Sequence, residues 1–118
     1  MSGDNQPQLP STEEGRTKLE ALRVQHPGYK IHWVEDPDEF GLVIFRRPGK
    51  LDLRSFKADR ADDDLGPLAD ERLAAKLVLH PDAAGFSSLL DQYPALAPNI
   101  AGQGVKLAGG GKLDVKKA

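Results

Sequence analysis

The most apolar run of the chain is Phe40–Arg46, which reads FGLVIFR and is followed at once by Arg47 and Pro48. The preceding segment Tyr29–Glu35 alternates between two sets of side chains, as a half-buried strand does. Between them, Asp36–Glu39 has the composition of a turn, with proline at a position that a type I turn tolerates. This pattern predicts an antiparallel β-hairpin.

Five other segments carry apolar residues at helical spacing and are bounded by proline, glycine or capping residues. The predicted helices are 11–25, 51–58, 67–79, 82–92 and 96–107. Ser11 and Glu14 form a candidate capping box for the first, and Asp82 is the candidate cap of the fourth. Gly102 and Gly104 weaken the last one. The fold class is therefore predicted as α+β, an antiparallel β-hairpin packed with several short α-helices, with flexible termini.

The ends of the chain differ in composition from its middle. Residues 1–10 are polar and show no apolar period, which predicts a disordered N-terminal arm. Residues 11–109 are predicted to form a single α+β domain. Gly109–Gly111 then leads into residues 110–118, predicted to be a flexible basic tail.

Composition narrows the function classes. The chain has 118 residues, enough for one domain, and its 39% apolar and 29% charged residues are ordinary for a soluble globular protein. Its formal net charge of -2 gives no general attraction to nucleic acid or to an anionic membrane. There is no cysteine, which excludes disulfides and thiolate metal sites and fits a reducing cytoplasm. No apolar segment approaches the about 20 residues that span a bilayer.

Chemical motifs are weak throughout the chain. His26, His32 and His80 lack the spacing of a metal or general-base site, so surface or capping roles are favoured. Asp62–Asp64 lacks the alternating ligands and closing glutamate of a calcium loop, which favours a solvated linker. No nucleophile lies beside a suitable base. We therefore expect no catalytic residue, metal site or cofactor, and predict that the protein is not an enzyme.

The second strand of the predicted hairpin is apolar on two faces. Leu42 and Ile44 lie on one face, and Val43 and Phe45 lie on the other. Helices that covered both faces would make this an ordinary core strand, whereas an uncovered face would be available to a partner chain. Under the second interpretation the candidate partner-binding residues are Trp33, Val43, Phe45, Arg46 and Arg47. Trp33 has the alternative role of packing against the helices.

A locally basic segment follows the hairpin, and a phosphate or nucleic-acid contact is one interpretation of it. A solvated helix face balanced by Asp52 and Asp59 is favoured, because the net charge is negative and no exposed aromatic residues are interleaved. We therefore expect a protein partner, with no nucleic acid and no membrane. The basic residues are Arg46, Arg47, Lys50, Arg54, Lys57 and Arg60.

Three segments resemble small phage proteins of the tail assembly chaperone type. The first is the strand-to-helix joint Val43–Pro48 with the short helix that follows it. The second is Leu77–Asp82, an apolar run followed by Pro-Asp. The third is Phe86–Leu96, followed by a helix that ends in Leu107-Ala108-Gly109. The resemblance covers about residues 29–109, and its pattern consists of structural residues.

The resemblance implies a non-catalytic protein of an infected or lysogenic cell, located in the host cytoplasm. Proteins of this type bind the tape measure protein and keep it soluble until the tail tube polymerises around it. The implied partner is the tape measure or another tail protein, with homo-oligomers possible. Gly49–Leu51 departs from the family pattern, which more often has Thr or Ser, and leaves the start of that helix open. The alternatives are a structural component of a phage tail or injection-type particle, and a small nucleic-acid-binding module.

Overall fold

The computed structural model of the chain describes residues 9–110, and within this range the predicted α+β class is confirmed. Five α-helices and three strands account for most of the described residues. The helices are α1 Glu13–Gln25, α2 Lys50–Ala61, α3 Ala69–Leu77, α4 Ala83–Gln92 and α5 Leu96–Val105, and the strands are β1 Ile31–Asp36, β2 Gly41–Arg46 and β3 Val78–His80. A short 3-10 turn, Gly66–Leu68, precedes α3, and a π-type turn, Lys106–Gly110, follows α5.

Two predicted segments fall mostly outside the described residues. The predicted arm at 1–10 has only Leu9 and Pro10 inside that range, and Pro10 is buried. The predicted tail at 110–118 has only Gly110 inside it. Among the described residues, no helix is long and apolar enough to cross a membrane.

The three strands form one antiparallel sheet in the order β1-β2-β3, with β2 in the centre. The predicted hairpin is present, and its register runs without a break from the pair Ile31–Arg46 to the pair Asp36–Gly41. Gly41 has a φ of +83°, which favours glycine where the turn enters β2. Residues that lie opposite each other in β1 and β2 point to the same face of the sheet. The alternation of side chains along the sequence is therefore consistent with the predicted hairpin.

Strand β3 was not predicted from the sequence, because Val78 and Leu79 were assigned to the end of the preceding helix and His80 to the break that follows it. α3 instead ends at Leu77, and the chain pairs with β2 through Val78–Phe45 and His80–Ile44. His80 precedes a proline, and a residue in that position is biased away from helix toward extended backbone. The second edge of β2 thereby gains a hydrogen-bonding partner.

Helices cover both faces of β2. On one face Val43 and Phe45 pack in the larger core cluster with residues from α3, α4 and α5. On the other face Ile44 packs in a smaller cluster with Leu19 and Leu22 of α1. The sequence left open whether a partner chain covers one of these faces, and the structure shows that α1 covers it.

The ends of the helices follow their capping chemistry, with one correction. α1 begins at Glu13 with Thr12 as its cap, whose Oγ1 accepts from the Gly15 N–H at 2.9 Å. The predicted cap Ser11 instead donates its N–H and its hydroxyl to the Glu35 carboxylate, at 2.9 and 2.7 Å. This long-range contact holds Ser11 against β1, one residue outside the cap.

Two other expectations about helix ends are also resolved. Asp82 caps α4 as predicted, with Oδ1 accepting from the Gly85 N–H at 2.8 Å. Gly104 was expected only to weaken α5, but it also has a packing role, since a Cβ there would lie 2.9 Å from a Leu77 methyl carbon. Glycine at this position lets α5 approach α3 closely.

Candidate interaction surfaces

Two of the predicted partner-binding residues belong to the core. Val43 and Phe45 are 0% and 2% exposed, and both pack against α3, α4 and α5. Their burial removes both side chains from any surface that a partner contacts in this fold. The prediction is corrected for these two residues, because it rested on an apolar face that the helices cover.

Arg46 connects the end of β2 to the start of α2. Its guanidinium donates to both oxygens of the Asp52 carboxylate, at 2.7 and 3.1 Å, and stacks 4.7 Å from the Tyr29 ring centre. Asp52 also accepts from the Gly49 N–H at 2.8 Å, which caps α2 without a Thr or Ser. The hydrogen bond from Arg46 holds the pKa of Asp52 below its usual range. Arg46 therefore links the end of β2 to the start of α2, and its guanidinium is already paired with the Asp52 carboxylate.

Arg47 directly follows β2 and contacts β1 and the residue before it. Its N–H donates to the Lys30 carbonyl at 2.8 Å, and its Nε donates to His32 Nε2 at 3.2 Å. His32 accepts this bond as a neutral imidazole. Burial, and then the positive charge of Arg47, lower the pKa of His32. This contact ties the two strands together at the open end of the hairpin.

Trp33 lies in β1, and every residue of this strand is half-buried. Its side chain shares the α1 face of the sheet and packs at the border of the smaller core cluster with Leu42 and Leu79. β1 has β2 on one side, and no strand of the described residues pairs with its other side. Among the five predicted contact residues, Trp33 is the one placed at an open edge of the sheet.

A surface groove that the sequence analysis did not identify runs between α2 and α5. It is open to solvent, with a volume of about 470 Å³, and α3 contacts both of the helices that border it. Phe56 of α2 and Val105 of α5 are half-buried on its two sides, and Ala101 and Gly102 of α5 also line it. A Cβ at Gly102 would meet open space, so an incoming backbone could approach closely there. We call this the α2/α5 groove.

Charged side chains line the edges of the α2/α5 groove. Arg60 and Lys106 contribute positive charge and Asp70 contributes one negative charge. The Arg60 guanidinium lies 5.5 Å from the centre of the Phe56 ring. Residues 56 and 105 are far apart in sequence, and nothing in the local pattern of either helix predicts that they meet across one groove.

The remaining candidates from the sequence have structural roles. Asp62 Oδ1 accepts from the Asp64 and Leu65 N–H groups at 2.8 and 3.0 Å, so the acidic linker is a self-capped turn. Burial lowers the pKa of His80 in β3, with a further contribution from Lys18. In the part of the chain that the structure describes, no group of three or more potential ligands could hold a metal ion.

The residues of the predicted basic segment differ in how far they are engaged within the fold. Arg46 is paired with Asp52, and Arg60 is exposed with its guanidinium over the Phe56 ring. Lys50, Arg54 and Lys57 are exposed and recur at helical spacing on one side of α2. The segment thus provides a short positive stripe on α2.

The chain was also compared with known proteins. No family model matches it, and no curated protein matches it either. Among solved structures, it is similar to the uncharacterised protein rbstp2171 from Bacillus stearothermophilus, with 15% sequence identity and a TM-score of 0.68. The match covers 83% of this chain and 98% of that chain. At this level of identity the similarity shows a shared fold alone.

Proposed function

We propose that the protein is a non-catalytic adaptor that binds an amphipathic helical segment of another protein in the α2/α5 groove. The observation that carries this proposal is the groove itself, an open trough between two helices. An amphipathic helix laid in such a trough buries its apolar side against the floor and walls. The two positive charges and one negative charge at the edge favour a helix with acidic residues flanking its apolar side.

We propose a phage tail protein such as the tape measure as the partner, and the resemblance to tail assembly chaperones supports this choice. A long helical chain of that kind exposes apolar side chains until the tail tube surrounds it. Covering those side chains with a small adaptor in the host cytoplasm would keep the chain in solution. Two features favour the groove over the predicted contact surface on β2 as the binding site. Val43 and Phe45 are buried, and Arg46 is paired with Asp52.

The test uses a substitution that fills the groove and spares the fold. Gly102→Met places a long side chain on the α5 side of the groove, where the structure has open space, and it also removes a helix glycine. We expect this variant to fold and to lose the increase in solubility that wild type gives a co-expressed tape measure protein. The matched control is Gly102→Ala, which adds one methyl group and should retain the activity.

Two outcomes would contradict the proposal at different levels. If Gly102→Met folds and rescues solubility as well as wild type does, the groove is not the binding site. If wild type rescues no tail protein, the chaperone function is wrong. Mass spectrometry of purified particles distinguishes the main alternative, because a chaperone is absent from the finished particle and a structural component is present.

A nucleic-acid-binding module is the second candidate, and the exposed stripe Lys50, Arg54 and Lys57 on α2 is the observation that favours it. Three phosphate contacts would make the affinity for duplex DNA fall steeply with salt concentration. A binding titration at several salt concentrations tests it. Removing the stripe with three Gln substitutions should abolish a true interaction, and an affinity that does not change with salt would eliminate this candidate.

A further inference from the structure

The open side of β1 has a defined hydrogen-bonding pattern. The Arg47 N–H donates to the Lys30 carbonyl, which makes this a hydrogen-bonded pair of the antiparallel ladder. Because such pairs alternate, the N–H and C=O groups of Ile31, Trp33 and Glu35 point away from β2. Three donors and three acceptors are thereby directed along one edge.

Three features that discourage pairing at edge strands are absent from this edge. Ile31–Asp36 contains no proline, no lysine and no bulge, and its register with β2 is unbroken. The opposite edge of the sheet differs, because β3 has three residues and an irregular register with β2. The β1 edge is the longer and more regular of the two, so it is the one suited to accept a strand.

We propose that β1 pairs with β1 of a second copy of this chain, antiparallel and centred on Trp33, to form a homodimer with a continuous six-stranded sheet. The outward-pointing residues must face each other across the two-fold axis. Trp33 then lies opposite the partner's Trp33, and Ile31 lies opposite the partner's Glu35. Every outward N–H and C=O group of the two strands gains a partner in this register.

Charge complementarity supports a second copy as the occupant. The register that centres on Trp33 places Lys30 of one strand opposite the partner's Asp36, and the two-fold axis repeats this pair. Opposite charges in directly opposed positions stabilise a strand pair, and paired aromatic residues such as the two tryptophans add to it. The N-terminal residues 1–8 are a poorer occupant, since their sequence MSGDNQPQ is polar and includes a proline that lacks an N–H.

Neighbouring registers with the same hydrogen-bond parity are less favourable. A shift of two residues in one direction places Pro37 opposite Ile31, which removes a hydrogen-bond donor. The opposite shift places Lys30 across from Val34 and Asp36 across from Gly28, and both charge pairs are lost. Of these three registers, the centred one alone pairs Ile31–Asp36 along its whole length without a proline and places Lys30 opposite the partner's Asp36.

Thiol cross-linking tests the dimer in the full-length protein. The chain has no cysteine, so Trp33→Cys introduces a single thiol. In a hydrogen-bonded pair the two Cα atoms are about 5.5 Å apart, within the range that a disulfide spans. With oxidised glutathione as the oxidant, we expect most of this variant to become a disulfide-linked dimer. Val24→Cys, on the exposed side of α1 (70% exposed), is the matched control and should remain a monomer on a denaturing gel.

Charge exchange tests the register and does not depend on removing Trp33. Lys30→Asp faces the partner's Asp36 twice, and we expect it to raise the dimer dissociation constant about tenfold or more in sedimentation equilibrium. The double variant Lys30→Asp, Asp36→Lys should restore wild-type association. A wild type that is monomeric at all concentrations, with no more cross-linking at 33 than at 24, would overturn the proposal. Cross-linking without rescue by the double exchange would overturn the register.

Discussion

β1 and β2 have the same length and are paired residue for residue, yet their surroundings differ. β2 has a strand on each side and helices on both faces, and Val43, Ile44 and Phe45 are almost completely buried. β1 has one neighbouring strand, and all six of its residues are half-buried. The most apolar run therefore marks the strand with the most neighbours inside the domain. In our proposals, contacts with other chains are assigned to the strand of mixed composition beside it, and to the α2/α5 groove.

The largest expected difference between the two strands is in stability. Phe45→Ala empties the centre of the larger core cluster and should lower the free energy of unfolding by about 3 to 5 kcal/mol. Trp33→Ala removes a half-buried side chain at the border of the smaller cluster, and about 1 to 2 kcal/mol is expected. Urea denaturation of the two variants, followed by circular dichroism, measures both. Equal losses would contradict the assignment of β2 to the core and β1 to its edge.

Loss of the Arg46–Asp52 ion pair at the end of β2 should have the next largest effect on stability. Arg46 and Asp52 are 14% and 17% exposed, so removing one partner leaves a poorly solvated charge. We expect Arg46→Ala to cost about 1 to 3 kcal/mol of stability. Arg47→Ala serves as the comparison, because Arg47 donates to a neutral imidazole, and a smaller loss is expected there.

The same ion pair predicts how the stability of the protein changes at acidic pH. The pKa of Asp52 is lower in the folded state than in the unfolded chain, where it is about 3.9. Its stabilising contribution is therefore fully present above that value and is lost as the pH falls through the folded pKa. Asp52→Asn should be less stable than wild type at neutral pH, and the difference should shrink toward pH 2. A constant difference across acid titration of the two proteins would argue against the ion pair.

Substitution at the β1 edge should affect association more than folding. Trp33→Lys places a positive charge opposite its own symmetry mate, and lysine on an edge strand opposes pairing. We expect a monomer whose stability is close to that of Trp33→Ala, whereas we expect wild type to form a dimer. Sedimentation velocity at matched concentrations compares them, and a dimer that persists in Trp33→Lys would place the interface elsewhere.

The smallest expected effect is the pH dependence that comes from His32. Burial and Arg47 lower its pKa below the unfolded value of about 6.5. The folded state then binds fewer protons in this window, so stability falls as the pH decreases from about 6.5 through the folded pKa. His32→Gln keeps an acceptor for Arg47 and should reduce this dependence. The pKa of His80 is also lowered, so His80 contributes to the same pH dependence of stability. A variant with both His32 and His80 replaced by Gln should show the smallest dependence.

Local patterns predicted the hairpin and the approximate positions of the helices, because alternation and helical spacing act over a few residues. They could not predict β3, since Val78–His80 is extended through its pairing with β2 across more than 30 residues of sequence. Nor could they assign Arg46: its partner Asp52 is close in sequence, but the pairing depends on where α2 starts. The α2/α5 groove depends on α3 holding two distant helices side by side, a tertiary arrangement that no single segment specifies.

Amide hydrogen exchange on the full-length protein, followed by NMR across a range of concentrations, tests the contrast between the two strands. Amides of β2 that bond within the sheet should exchange slowly at every concentration. The outward amides of Ile31, Trp33 and Glu35 should exchange quickly in dilute protein and become protected as the dimer forms, while that of Val34 stays protected throughout. Protection of the three outward amides that does not change with concentration, or that never develops, would contradict the account of β1 as a strand that pairs with a second copy.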